Sequence, residues 1–211
     1  MLTNLFNKIV KTILEKTTAT EQHIKETAKK LFFVDGHLNA TTQEIADAAN
    51  VNRTLLNYYF RSRDALFEKV FQEAIQEKFD GMKMAFESLM PFRQKVERII
   101  DIVSDYLNKY PYAEIFFISE LNKKDARVDW CIKRPLQPYL KDFIKEIQVE
   151  IQKKNVRCKE PRIFLLTIFS LLSYPVIVKN LYINLYELSH KDFTEIAKNR
   201  KNYILSLLFN N

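Results

Sequence analysis

Glycine is nearly absent from this chain: two in 211 residues, at Gly36 and Gly81. The phosphate-cradling loops of nucleotide-binding enzymes need several glycines at fixed spacing so that backbone can approach phosphate, and two isolated ones cannot supply them. Cysteine is equally scarce. Cys131 and Cys158 stand far apart, with no CxxC and no neighbouring histidine. That removes zinc-ligand spacing and a disulfide framework, and leaves two reduced thiols as the expectation. The three histidines, His23, His37 and His190, are too scattered to read as a metal cluster or a triad. No metal, no cofactor and no enzymatic activity are therefore expected.

Long apolar runs are missing too. The longest uncharged stretch runs from Ile163 to Val178 and contains Pro175. It falls short of the roughly 20 residues needed to span a bilayer, so a helix there, apolar all round, reads as one buried among other helices. The N-terminus has no secretory pattern, because no side-chain cation precedes Lys8, and Lys8 and Lys11 break the apolar positions. A cytoplasmic protein without a membrane partner is expected. What the chain does have is abundant Leu, Ile, Phe, Lys and Glu, with 47% apolar and 28% charged residues. That composition suits a globular, all-α chain of long helices joined by short connections.

The net charge of +7 is unevenly placed. Residues 1–80 carry eleven basic and eleven acidic side chains, so the whole excess lies beyond them. Overall basicity is thus weak evidence for DNA binding, and local charge is more telling. Residues 51–63 hold Arg53, Arg61 and Arg63 with no acid, a small positive patch of the kind phosphates select. The basic run Lys153, Lys154, Arg157, Lys159, Arg162 lacks interleaved aromatics and reads as a solvated connection.

Leu2, Leu5, Phe6, Ile9, Val10, Ile13 and Leu14 fall on one helical face, predicting an extra amphipathic helix over 1–17. It either docks on the rest of the protein or lies at an interface, with Thr17, Thr18 and Thr20 interrupting it. A second helix is expected from Glu21 to Val34, with Ile24, Ala28, Leu31 and Phe32 inward, ending at Asp35-Gly36. Thr41 and Glu44 form a capping box for a helix of about two turns with Ile45, Ala46 and Ala49 inside. Asn50 can take the left-handed turn that follows, Val51 can plug the corner, and Asn52 can cap a helix from Arg53 to Phe60. This is a helix-turn-helix. Ser62 offers the cap of a fourth helix.

Beyond Pro91 the pattern predicts helices over Phe92–Lys109, Tyr112–Leu121, 135–154, 160–180 with a kink at Pro175, and 192–209 capped by Asp192.

Residues 24–66 resemble the DNA-binding head of the tetracycline-repressor (TetR) family of bacterial transcription regulators. The matching residues are Ile24, Ala28, Leu31-Phe32, Gly36, Thr41-Thr42, Glu44-Ile45-Ala46, Ala49, Val51, Leu56, Tyr58-Tyr59-Phe60, Ser62-Arg63-Asp64 and Leu66. Three positions depart from the usual pattern: Asn50 in the turn, Asn57 where tyrosine is common, and Arg63 where lysine commonly opens the fourth helix.

The resemblance implies a helix-turn-helix domain over 18–66 and a helical effector-binding and dimerisation domain over 67–211. In the head it implies Thr42 as a phosphate contact that also serves the helix start. It implies Arg53, Thr54 and Asn57 as base readers, with arginine suited to guanine and asparagine to adenine. Tyr58 and Arg63 become phosphate anchors, and Tyr59 is either core or contact. For the body it implies a homodimer through the last two long helices, with Phe164, Ile168, Leu171 and Leu172 at the interface. It also implies a pocket for a small hydrophobic or amphipathic effector near Tyr106, Tyr110, Phe116, Phe117, Trp130 and Tyr139. The expected activity is sequence-specific regulation, most often repression, at a palindromic double-stranded operator. An architectural or protein-interaction module that binds DNA without an effector stays open as the alternative.

Overall fold

The computed structural model describes residues 17–122 and 136–210, and among these the regular elements are helices throughout. The expected N-terminal helix before residue 17 lies outside the described residues, as does Trp130. The all-α expectation is met. The chain divides into two compact units between Ala74 and Ile75, inside a continuous helix.

In the first unit, α1 (17–29) includes Thr17, Thr18 and Thr20 within its helical span. Its last turn widens into a π-helix, Lys30–Val34. The Asp35 N–H donates to the Lys30 carbonyl at 2.9 Å, one residue beyond the α spacing. The wider turn carries both Phe32 and Phe33 into the core, fully buried, while Leu31 is only half-buried. The single-period reading had placed Leu31 inside and passed over Phe33. Gly36 then reverses the chain at φ 80°, where glycine has no Cβ to clash.

Helices α2 (Thr42–Ala48) and α3 (Arg53–Phe60) follow, and α4 (Arg63–Glu87) leaves the unit. Phe67 on α4 packs edge-on against Phe32 at 4.9 Å and Phe33 at 5.5 Å. Glu73 clamps α4 to α1, accepting from Lys25 at 2.8 Å and pairing with Lys29 at 3.0 Å.

The second unit comprises the rest of α4 with α5 (Phe92–Lys109), α6 (Pro111–Leu121), α7 (Gln137–Gln152) and α8 (Pro161–Ile177). It ends with α9 (Lys179–Leu185), α10 (His190–Lys198) and α11 (Lys201–Leu208). Helix α8 packs against α5, α6, α7 and α11. A Cβ on Gly81 of α4 would meet the Ile102 side chain of α5 at 3.0 Å, a contact that the Ile102 side chain would have to relieve by a small shift. One cluster of rings, Phe92, Phe143, Phe164 and Phe209, joins α5, α7, α8 and the C-terminal residues.

Three expectations about this unit change. Helix α8 continues through Pro175, and the bend, 62°, falls after Ile177, between α8 and α9. The terminal helix is two helices, parted at Asn199-Arg200. Its first half is capped by Ser189, whose hydroxyl accepts from the Asp192 N–H at 3.1 Å while the Asp192 carboxylate accepts back, so Asp192 completes a capping box three residues inside. The basic connection is only partly free. Arg157 donates its backbone N–H to Leu208 and its Nε to the Phe209 carbonyl at 2.8 Å, holding the C-terminal residues.

Candidate nucleic-acid interface

Each end of the helix-turn-helix is set by local hydrogen bonds. The Thr41 hydroxyl accepts from the Glu44 N–H at 3.2 Å, and the Glu44 carboxylate accepts from the Thr41 N–H at 2.7 Å. Those bonds from Thr41 hold the Glu44 carboxyl below the ordinary carboxylate range. Helix α2 ends in a Schellman motif, with Val51 N–H on the Ala46 carbonyl, Asn50 N–H on the Asp47 carbonyl, and Asn50 at φ 51°. Asparagine tolerates that left-handed conformation, so it does here what glycine does elsewhere. The Asn52 side chain caps α3 by accepting from the Leu55 N–H at 2.7 Å. Fully buried Ala46 allows α2 and α3 to pack together.

This framework turns α3 so that Leu56 and Phe60 are buried and Arg53, Thr54, Asn57 and Tyr58 face solvent. Tyr58 is 76% exposed, and Tyr59 lies half-buried with its ring 5.3 Å from that of Tyr58. Thr42 is half-buried at the first position of α2. The exposed face therefore carries a guanidinium, a hydroxyl, an amide and a phenol, with no acid on the helix. Such a face offers donors to guanine, adenine and phosphate.

Arg63, expected as a phosphate anchor, makes contacts within the head. Its side chain reaches back to the loop before α2, donating to the carbonyls of Leu38 and, at 3.2 Å, Ala40. Its guanidinium lies 4.9 Å from the Phe67 ring centre and 5.1 Å from that of Phe32. Arginine can stack and donate at once, and lysine cannot, so Arg63 braces the head. His23 does similar work: its Nε2–H donates to the Ala49 carbonyl at 3.0 Å, pinning α1 to the turn. A carbonyl can only accept, so the proton is on Nε2. No local sequence signal marks either bond, since both span more than twenty residues.

Of the residues expected at an effector pocket, Tyr106, Tyr110 and Phe117 lie in the core of the second unit. Tyr106, Tyr110 and Phe117 are buried, Phe116 is half-buried, and Tyr139 stands by Lys83, whose ammonium lies 4.9 Å from its ring centre. At the centre of the buried set is a fully enclosed ion pair, Lys78 Nζ to Glu114 Oε2 at 2.8 Å, with the Ser173 hydroxyl donating to Glu114 Oε1 at 2.9 Å. Lys78 lies 4.4 Å from the Tyr106 ring centre and 4.9 Å from that of Phe117. The aromatics thus wrap a buried cation. A cleft of about 490 Å³ opens between α5, α8 and α10, and among the described residues none of the expected aromatics lines it.

The expected dimer residues also point inward. Phe164, Ile168 and Leu172 are buried against the subunit's own helices, and Leu171 is half-buried. A helix apolar all round gives no periodicity from which to choose its inner side. The face left bare is Ile163, Leu166, Tyr174 and Ile177, each 46–66% exposed. Among the described residues no group of His, Cys, Asp and Glu could hold a metal ion, and no single helix is long and apolar enough to cross a membrane.

Residues 24–70 match the profile of bacterial regulatory proteins, tetR family. A curated relative, the HTH-type transcriptional regulator YhgD of Bacillus subtilis (strain 168), is 26% identical over 83 residues, 39% of this chain and 44% of the relative, so the match spans less than half of that protein. Among solved structures, a linker-substituted form of HlyIIR, a haemolysin II transcriptional regulator, superposes with a TM-score of 0.66 at 18% identity, covering 91% of this chain and 98% of the other. The fatty acid degradation regulator FadR from Bacillus halodurans gives 0.56 at 17% identity, covering 89% and 95%. At these identities the structures establish a shared fold along nearly the whole chain. The likeness to the tetR family of bacterial regulatory proteins thus lies in the helix-turn-helix head, within residues 24–70.

Proposed function

We propose that this protein is a sequence-specific, DNA-binding transcription regulator of the cytoplasm, acting as a homodimer that represses from a palindromic operator until a small ligand releases it. The observation that carries this reading is the outward face of α3, where Arg53, Thr54 and Asn57 stand exposed on a helix whose other side is locked into the head. A recognition helix held in this way can enter a major groove and present donors to base edges. Tyr58 and the start of α2 at Thr42 supply the flanking phosphate contacts.

A dimer brings two such helices to two half-sites, and the bare face of α8 supports it. Four large apolar side chains on one helix side are more than an isolated subunit needs to expose, and a two-fold contact covers them with their own copies. Selection of bound duplexes from a random library by the purified protein tests the reading. An inverted repeat is expected. Binding without a shared motif contradicts it and favours the effector-free architectural module.

A further inference from the structure

The cleft between α5, α8 and α10 has an apolar floor made by Ile100, Leu172, Val176, Phe193 and Ile204. Arg200, in the break between α10 and α11, lies at its wall. Burial alone pulls the Arg200 guanidinium below its ordinary pKa, and no carboxylate offsets that effect. Among the described residues its guanidinium donates to a neutral carbonyl, that of Leu171. One carboxylate of the cleft lining is already engaged: Asp101 is held by Lys201 through both oxygens at 2.7 Å. Asp105 is exposed on the cleft lining, while Lys179 and Lys198 add two further cations. The cleft therefore combines apolar surface, a partly desolvated cation with unused N–H donors, and an excess of positive charge. A half-buried cation whose hydrogen bond goes to a neutral group, not to a counter-ion, carries a cost that an incoming anion removes.

We propose that this cleft binds a small amphipathic carboxylate, its head on Arg200 and its apolar body along Leu172, Val176 and Phe193. The volume, about 490 Å³, lies in the range of small-molecule sites. Guanidinium presents paired N–H donors to carboxylate in a fork that a neutral head cannot use. That the occupant is also the effector rests on the regulatory reading above; that it binds does not.

The test is calorimetric titration of the full chain, without DNA, using decanoate and, as the uncharged control, decanol. Decanoate binds with one site per subunit, and decanol binds on the order of tenfold or more weakly. Arg200→Gln keeps a donor for the Leu171 carbonyl but removes the charge, and it lowers decanoate affinity by about tenfold or more. Ala197→Phe fills the cleft while leaving residue 200 an arginine and abolishes binding of both probes, which keeps the test valid if the Arg200 variant fails to fold. No decanoate binding, equal binding of decanol, or binding that survives Ala197→Phe overturns the proposal. Repeating the titration with protein on its selected operator separates the two claims. Release of DNA by decanoate makes the occupant the effector, whereas binding with DNA retained leaves the cleft assignment standing and removes that role.

Discussion

Arg200 donates a hydrogen bond to the carbonyl of Leu171, the acceptor that Pro175, four residues further along α8, has no N–H to reach. Proline inside a helix ordinarily breaks one backbone bond and bends the chain. Here a side chain from the turn between α10 and α11 replaces the missing donor, and α8 runs on to Ile177 before the chain bends.

Removing that donor strands a polar group. Arg200→Ala is expected to destabilise the protein by about 1–3 kcal/mol. Pro175→Ala restores the backbone N–H, so in the Pro175→Ala background the same Arg200 substitution costs clearly less. Urea unfolding of the four proteins gives the coupling energy. Equal costs in both backgrounds would show that the bond is not compensating for proline.

The buried pair in the second unit makes a sharper contrast. Glu114→Ala leaves the Lys78 ammonium enclosed by Tyr106 and Phe117 without its counter-ion, at a cost of about 3–5 kcal/mol. Lys78→Met with Glu114→Leu removes both charges and recovers most of that loss. A double variant as unstable as Glu114→Ala would mean that packing, and not the stranded charge, sets the cost.

Acid and alkali act on the head through Glu73 and Lys29. Burial pushes the Glu73 carboxyl up, but hydrogen bonds and charge from Lys25 and Lys29 outweigh it and hold the group below the ordinary carboxylate range. Burial likewise lowers Lys29, and its bonds with Glu73 and Glu26 outweigh that and hold it above the ordinary lysine range. A depressed carboxylate stabilises the fold above its unfolded pKa, and that contribution is lost as pH falls through the folded value. A raised lysine stabilises below its unfolded pKa and loses that contribution as pH rises through the folded value. Glu73→Gln is therefore expected to cost about 1–3 kcal/mol at neutral pH, with the gap from wild type closing in acid. A gap that is constant with pH would contradict the clamp.

The bare face of α8 predicts a separation of effects. Leu166→Glu and Tyr174→Glu yield folded monomers by sedimentation, whereas Phe164→Ala costs about 3–5 kcal/mol of subunit stability. Dimers that persist in both charged variants would move the interface elsewhere.

These contrasts explain what could be read from sequence. Thr41 with Glu44, Asn50 and Asn52 act within a few residues of themselves, so the limits of α2 and α3 and the outward side of α3 are written locally. The π-helix at Lys30–Val34 is not, because inserting one residue into the turn leaves no mark in an otherwise regular pattern. In α8 the uniformly apolar sequence hides which side faces inward. The backbone acceptors of Arg63 and the partners of Arg200, Glu73 and Glu114 lie many residues away, and sequence pattern names a charge without naming what it meets.

The reading of α3 as the recognition helix is tested most directly by the affinity of wild type and Arg53→Ala for the selected operator and for every single-base-pair variant of one half-site, at fixed salt. The account predicts that Arg53→Ala loses on the order of 1–3 kcal/mol on the operator and stops discriminating at one base pair per half-site. An equal loss on every sequence, with wild-type discrimination intact, would make Arg53 a phosphate contact and contradict the assignment.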